Sequence, residues 1–166
     1  MPFFAHHHDL ALKLFVALEQ QNARVATAES CTGGLIAGLL TEAAGSSAYF
    51  ERGFVTYSNE AKQEMLDVTK ESLFEFGAVS KEVARQMAQG ALAKSEANFS
   101  VSVTGIAGPG GATANKPVGL VYIGVCSKKS AALATKHLFN GDRQSVRNQT
   151  IEAALKALIE LIKKTD

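Results

Sequence analysis

Leu10, Leu14, Phe15 and Leu18 share one face of a helix that Asp9 can cap and that fades near Gln20–Asn22. Arg24–Ala28 then reads as a short buried strand. From Gly33, Leu35, Ile36, Leu39 and Leu40 recur at helical spacing to about Ala44, where Gly45-Ser46-Ser47 breaks the pattern. Ala48–Tyr57 is aromatic and β-branched, a strand with Gly53 placed for a bulge. Ser58 and Asn59 are good capping residues for a short helix with Lys62 in its first turn, and Glu71–Phe76 reads as a helical turn stopped by Gly77. Ser80 caps a longer helix carrying Val83, Met87, Ala91 and Leu92 on one face. Phe99–Val103 alternates strictly, as a strand does, and Val118–Cys126 is apolar enough for a central strand. A turn at Lys128-Lys129 leads to a further strand over Ala131–Phe139, so the last two strands suit a hairpin. Asp142 can cap a final helix with Val146, Ile151, Leu155, Leu158 and Ile162 along one face. The order α, β, α, β, α, α, β, β, β, α predicts an α/β fold with one mixed sheet covered by helices on both faces.

Composition adds limits to this picture. A chain of 166 residues is long enough for one domain with a real core. The formal net charge of +1 gives no global field for nucleic acid or an acidic partner. No apolar run reaches membrane-spanning length and no signal-peptide pattern opens the chain, and Cys31 and Cys126 suggest no disulfide framework. The expectation is a cytoplasmic protein that engages neither nucleic acid nor membrane. Its single domain runs from Asp9 to Asp166, behind a disordered or tag-like leader over residues 1–8. The adjacent histidines His6–His8 cannot easily share one ion, and no spaced His, Cys and carboxylate cluster argues for a metal.

Three stretches carry candidate chemistry. Thr27-Ala28-Glu29-Ser30-Cys31-Thr32-Gly33-Gly34 joins a strand end to a helix start, where unpaired N–H groups favour negative charge and where open α/β sheets place ligands. The simpler reading is that Ser30 or Thr32 caps the helix and the glycines permit the turn. Thr104-Gly105-Ile106-Ala107-Gly108-Pro109-Gly110-Gly111 follows a strand, and such glycine density lets N–H groups converge on an anion, or marks a surface loop. It lacks the ending of a Walker loop and the long helix of a dinucleotide fingerprint. Arg143 and Arg147 stand four apart at a helix start, which suits an anionic ligand better than it suits the helix dipole.

A serine nucleophile needs a base. His137 is the lone histidine beyond the leader, sits in a strand and has no obvious carboxylate partner, so a Ser-His-Asp triad is poorly supported. Lys62 is the other candidate, since a buried lysine loses its proton more readily and the strand before it should end near Ser30. Cys31 competes as nucleophile but lacks a histidine partner.

Ala28-Glu29-Ser30-Cys31-Thr32-Gly33-Gly34, Val55–Lys62, Gly77-Ala78-Val79-Ser80, Thr104–Gly111 and Pro117-Val118-Gly119 together resemble the CinA C-terminal domain family, the nicotinamide-nucleotide amidases, in the same order and over nearly the whole chain from Asp9. The resemblance implies a three-layer α/β/α sandwich on a mixed, mostly parallel sheet of about five strands. It implies hydrolysis of nicotinamide mononucleotide to nicotinate mononucleotide and ammonia, in pyridine nucleotide salvage. The reaction needs no cofactor and proceeds through a Ser-Lys acyl-enzyme. Ser30 and Lys62 match the family's serine and lysine. Tyr57, Thr104 and Arg143 match further site positions, and Ser46 or Ser47 matches another serine. Backbone N–H groups near Cys31, Thr32 and Gly33 are expected to receive the oxyanion. The substrate phosphate is expected at the loop containing Gly105 and Gly108 or at Arg143, with Tyr57 orienting Lys62 or relaying a proton. The family also implies a homodimer, with apolar residues near Phe50 or Phe54 available to an interface, and this chain looks like the form without a fused pyrophosphatase domain. A non-catalytic nucleotide-binding or competence-related regulatory module would use the same pocket and is the competing expectation.

Overall fold

The computed structural model describes residues 5–165. The elements are α1 (His8–Gln20), β1 (Val25–Glu29), α2 (Leu35–Glu42), a short 3-10 turn (Ser46–Ala48), β2 (Phe50–Val55), α3 (Asn59–Leu66), α4 (Lys70–Phe76), α5 (Lys81–Ala93), β3 (Phe99–Gly105), β4 (Leu120–Ser127), β5 (Ser130–Leu138) and α6 (Arg143–Lys164). The strands form one sheet in the order β2-β1-β3-β4-β5. β1 pairs parallel with β2 and β3, and β3-β4 and β4-β5 pair antiparallel. Four strands therefore run one way, with β4 against them, in a mixed sheet between helical layers.

The two faces of that sheet are packed differently. Val101, Val103, Ile123 and Val125 meet α1, α2 and α6 in the main apolar core with Leu14, Leu18, Leu39, Leu155 and Leu158. Opposite, small residues let α5 approach closely: a side chain at Gly124 would strike the Ala84 carbonyl. Ser100 and Ser102 donate to the carbonyls of Ala88 and Ala84 at 2.6 Å. The alternation of Phe99–Val103 thus sorts large from small residues, since every position from Phe99 to Thr104 is buried.

Several local expectations shift. The first helix starts behind His7, whose carbonyl accepts from Ala11 N–H, so Asp9 lies inside the first turn rather than capping it. Within the described part of the expected leader, His7 is 4 % exposed while Ala5, His6 and His8 are exposed, and residues 1–4 lie outside the described residues. The bulge in β2 falls at Glu51, because Val25 pairs with Phe50 and Ala26 with Arg52. Gly53 serves a close approach instead: a side chain there would meet Thr27 Oγ1 and Ala37 Cβ. Lys70–Phe76 is a full helix capped by Thr69, not a single turn. Phe50 and Phe54 are half-buried against apolar core residues, while their neighbours Val55 and Tyr57 are exposed. Among the described residues, no helix is long and apolar enough to cross a membrane, and no three His, Cys, Asp or Glu group around a metal position.

Register positions the site. Glu29 pairs with Val55 on one side and Val103 on the other, so the carboxyl ends of β1, β2 and β3 are level. The segments that leave those ends, Ser30–Gly34, Thr56–Ser58 and Thr104–Gly108, converge at one end of the sheet.

Candidate active site

The turn after β1 is held from several directions. Ser30 N–H donates to Val103 O at 3.1 Å and Ser30 O accepts from Gly33 N–H at 3.0 Å. Glu29, 1 % exposed, accepts from Thr32 Oγ1 and from the N–H groups of Gly34, Ile36 and Ala37. This carboxylate is the anion at the α2 N-terminus and satisfies its free donors from within the protein. The turn's cap is thus Glu29, neither Ser30 nor Thr32. Gly33 and Gly34 both adopt positive φ, +58° and +99°, which side chains disfavour.

β2 ends at Val55, and Ser58 caps α3 by accepting from Ala61 N–H at 3.0 Å. One residue further along α3, Lys62 turns back under the strand ends and is 1 % exposed. Its Nζ lies 3.0 Å from Ser30 Oγ, 2.9 Å from Thr56 O and 3.3 Å from Tyr57 O. Among the described residues no carboxylate pairs with it. Burial holds its pKa below the ordinary lysine value, offset in part by the neighbouring Cys31. Cys31 is itself buried, and burial pushes its thiol up to about 12. At neutral pH that thiol is protonated and a poor nucleophile.

A pocket of about 230 Å³ opens over this pair, lined by Ser30, Cys31, Tyr57, Lys62, Thr104 and Arg143 together with Asn59, Ala78, Val79, Gly105 and Ala107. Thr104 donates its hydroxyl to Ala78 O at 2.8 Å, which pins the Gly77–Val79 wall to the end of β3. Arg143, exposed at the mouth, donates to Gly108 O at 3.0 Å and to Tyr57 Oη at 3.3 Å. Tyr57 therefore touches Lys62 through its carbonyl while its phenol leans on Arg143 and is 62 % exposed.

Of the residues expected from sequence, Ser30, Cys31, Tyr57, Lys62, Thr104, Gly105 and Arg143 come together. Thr32 and Gly33 lie in the turn behind the pocket wall, and Gly108 takes part through its carbonyl. Ser46 is elsewhere: it starts the 3-10 turn before β2, at the far end of a strand that spans roughly 20 Å. Of the two arginines, Arg147 leaves the pocket to Arg143 and bonds the turn backbone instead. Sequence reasoning passed over Glu29, Asn59, Ala78 and Val79. Glu29 carried a readable signal, a carboxylate on a strand end directly before a helix N-terminus. Asn59 reads only as a capping residue and Ala78 and Val79 only as part of a motif, and it is the Thr104–Ala78 bond that brings the last two to the pocket.

Comparison with known proteins gives concordant results. The model of the CinA C-terminal domain family matches residues 7–162. The chain is 50 % identical over 157 residues to the nicotinamide-nucleotide amidohydrolase PncC of Enterobacter agglomerans, across 94 % of this chain and 96 % of that one. It is 49 % identical over 142 residues to the protein of the same name from Escherichia coli K12, across 86 % of each. Among solved structures, the competence/damage inducible protein CihA of Agrobacterium tumefaciens superposes with a TM-score of 0.90 at 51 % identity, across 93 % of this chain and 94 % of that one.

Proposed function

The chain belongs to the CinA C-terminal domain family, and on that footing we propose that it is a nicotinamide-nucleotide amidase, hydrolysing a carboxamide C–N bond through Ser30 and Lys62. The observation that carries the reading is the set of partners around Lys62 Nζ. Two of the three are carbonyl oxygens, Thr56 O and Tyr57 O, which can only accept. A neutral amine has two hydrogens and one lone pair. With both hydrogens on the carbonyls, the lone pair is left for the Ser30 hydroxyl, 3.0 Å away. Burial without a carboxylate partner favours that neutral form.

The reaction follows from this arrangement. Lys62 takes the Ser30 proton as Oγ attacks the carboxamide carbon. The developing oxyanion is received by N–H groups of the turn. Gly33, Gly34, Ile36 and Ala37 N–H are already committed, whereas the N–H of Cys31, which lines the pocket, has no oxygen partner among the described residues. A well-aimed donor contributes about 3 kcal/mol. Lys62 then returns its proton to the departing nitrogen, the C–N bond breaks and ammonia leaves. Neutral again, Lys62 takes a proton from water as it attacks the ester and hands that proton to Ser30 Oγ as the ester bond breaks, which releases the acid and restores both residues. The pocket is of a size for the ring-bearing part of a nucleotide, and Arg143 at its mouth supplies a cation for the phosphate. Anchoring the phosphate there presents the carboxamide to Ser30. The same reading takes the protein as a cytoplasmic homodimer of pyridine nucleotide salvage that needs no cofactor.

The test is ammonia release from nicotinamide mononucleotide by the native protein, Ser30→Ala and Lys62→Ala, each checked for folding by circular dichroism. Activity in the native protein that falls by at least about 10³-fold in both folded variants is expected. Nucleotide binding without ammonia would place the protein with the non-catalytic modules instead.

A further inference from the structure

Arg147 is a candidate from the sequence that the reaction above leaves without a part. It lies one helical turn beyond Arg143 on α6, half-buried, and does not line the pocket. Its Nε donates to Cys31 O and its Nη2 to Thr32 O, both at 3.2 Å. A guanidinium fork spans two successive carbonyls in a way that a lysine ammonium does not.

Those two carbonyls belong to the turn that carries the nucleophile. The Ser30 O to Gly33 N–H bond closes a four-residue turn whose central peptide links Cys31 to Thr32. Thr32 stays out of the positive-φ region, so the turn is of type I. The type II alternative rotates that central peptide by about half a turn. Across a trans peptide the carbonyl and the following N–H point in opposite directions. Whatever fixes Cys31 O therefore fixes Thr32 N–H on the other side. Thr32 O has a second partner in Leu35 N–H at 3.2 Å, whereas Arg147 is the sole partner of Cys31 O among the described residues.

We infer that Arg147 is a positioning residue for the amidase reaction: its fork on the Cys31 and Thr32 carbonyls holds the central peptide of the turn that carries Ser30, and with it the Cys31 wall of the pocket beside the nucleophile. Glu29 and Arg147 thus divide the turn between them. The carboxylate takes the N–H groups of the α2 start, and the guanidinium takes the carbonyls of the turn. Neither arginine duplicates the other, since Arg143 faces the pocket and Arg147 faces the backbone behind it.

The inference rests on the amidase reading, and its test separates the two. kcat and KM for nicotinamide mononucleotide are measured for Arg147→Ala and Arg147→Lys, and the rate of Ser30 acylation by a p-nitrophenyl ester is measured in parallel. For Arg147→Ala the expected result is a kcat lower by about 10- to 100-fold with KM within about twofold. Acylation should slow to match, Arg147→Lys should recover little, and added methylguanidinium should restore part of the rate. A raised KM with kcat retained would overturn the inference and make Arg147 a substrate ligand. Unchanged kinetics would also overturn it, showing that the turn holds its shape alone. If Arg147→Ala does not fold, Arg147→Lys decides: slowed acylation with KM for the nucleotide unchanged supports the role, and native-like acylation overturns it. Should the native protein release no ammonia from the nucleotide, the amidase reading falls, while the ester acylation rates still decide whether Arg147 positions the Ser30 turn.

Discussion

The groove between α1 and α6 encloses about 700 Å³, three times the volume of the pocket at the strand ends. Its floor is apolar, with Leu10, Val16, Ala17 and Ile159, and its rim carries Lys13, Lys156 and Lys163. Those lysines behave as surface lysines do. Lys156, for example, pairs with Glu152 one turn away and is 63 % exposed, an arrangement worth about 0.3–0.5 kcal/mol. In the smaller pocket a lysine is held 1 % exposed, without a carboxylate, against a serine hydroxyl and two carbonyls. The contrast teaches that chemistry follows groups kept where they would not go by themselves, not the volume of the opening. Burial of Lys62 is unfavourable for the fold and useful for proton transfer.

The strongest way to break this comparison is to exchange the roles of the two regions. Ser30→Ala and Lys62→Met should each remove ammonia release by about 10³-fold or more, while Leu12→Ser with Val16→Ser in the groove should leave it within about twofold. Equal losses in both regions, assayed on folded proteins, would show that the effect is one of general stability. Next in size is Glu29→Ala, which strips the α2 start of its anion and orphans four donors. Urea unfolding should show a loss of about 2–4 kcal/mol. Arg143→Ala should act on binding, raising KM about tenfold with kcat little changed, because a charged contact at the mouth is worth about 1.5 kcal/mol.

The smallest effect sharpens the account of Lys62 through pH. Its folded-state pKa is lowered, so between that value and the unfolded value near 10.4 the unfolded chain holds more protons than the native one. Stability should therefore rise with pH across that window, and activity should fall as pH drops through the folded value and Lys62 becomes charged. Urea unfolding of the native protein and Lys62→Met, at neutral pH and near pH 9.5, should show the difference moving in favour of the native protein at the higher pH. No change, or movement the other way, would mean that Lys62 is charged throughout.

Much of the architecture was legible in the sequence because each element carries its own period and its own cap. Ser58, Ser80 and Asp142 all cap where their positions suggest. What was not legible depends on partners from elsewhere. Alternation along Phe99–Val103 says strand, but only the approach of α5 makes its serines buried donors. Gly53 looks like a bulge until Thr27 and Ala37 are known to press against it. Within the site, Ser30 and Lys62 lie 32 residues apart, and their meeting depends on the level ends of β1 and β2. A helical spacing of four put Arg143 and Arg147 together, yet the α2 turn lies close enough to claim one of them. Ser46 is the opposite case, a position suggested by resemblance and carried to the far end of β2 by the fold.

The most direct test of the central claim is rapid-quench mass spectrometry of the native protein mixed with nicotinamide mononucleotide, followed by digestion. The account predicts a transient adduct of the nicotinoyl nucleotide, formed with loss of ammonia, on the peptide that contains the turn and at Ser30 itself. The adduct should be absent from Ser30→Ala. An adduct on Cys31, or full turnover in the presence of hydroxylamine with no hydroxamate formed, would contradict it.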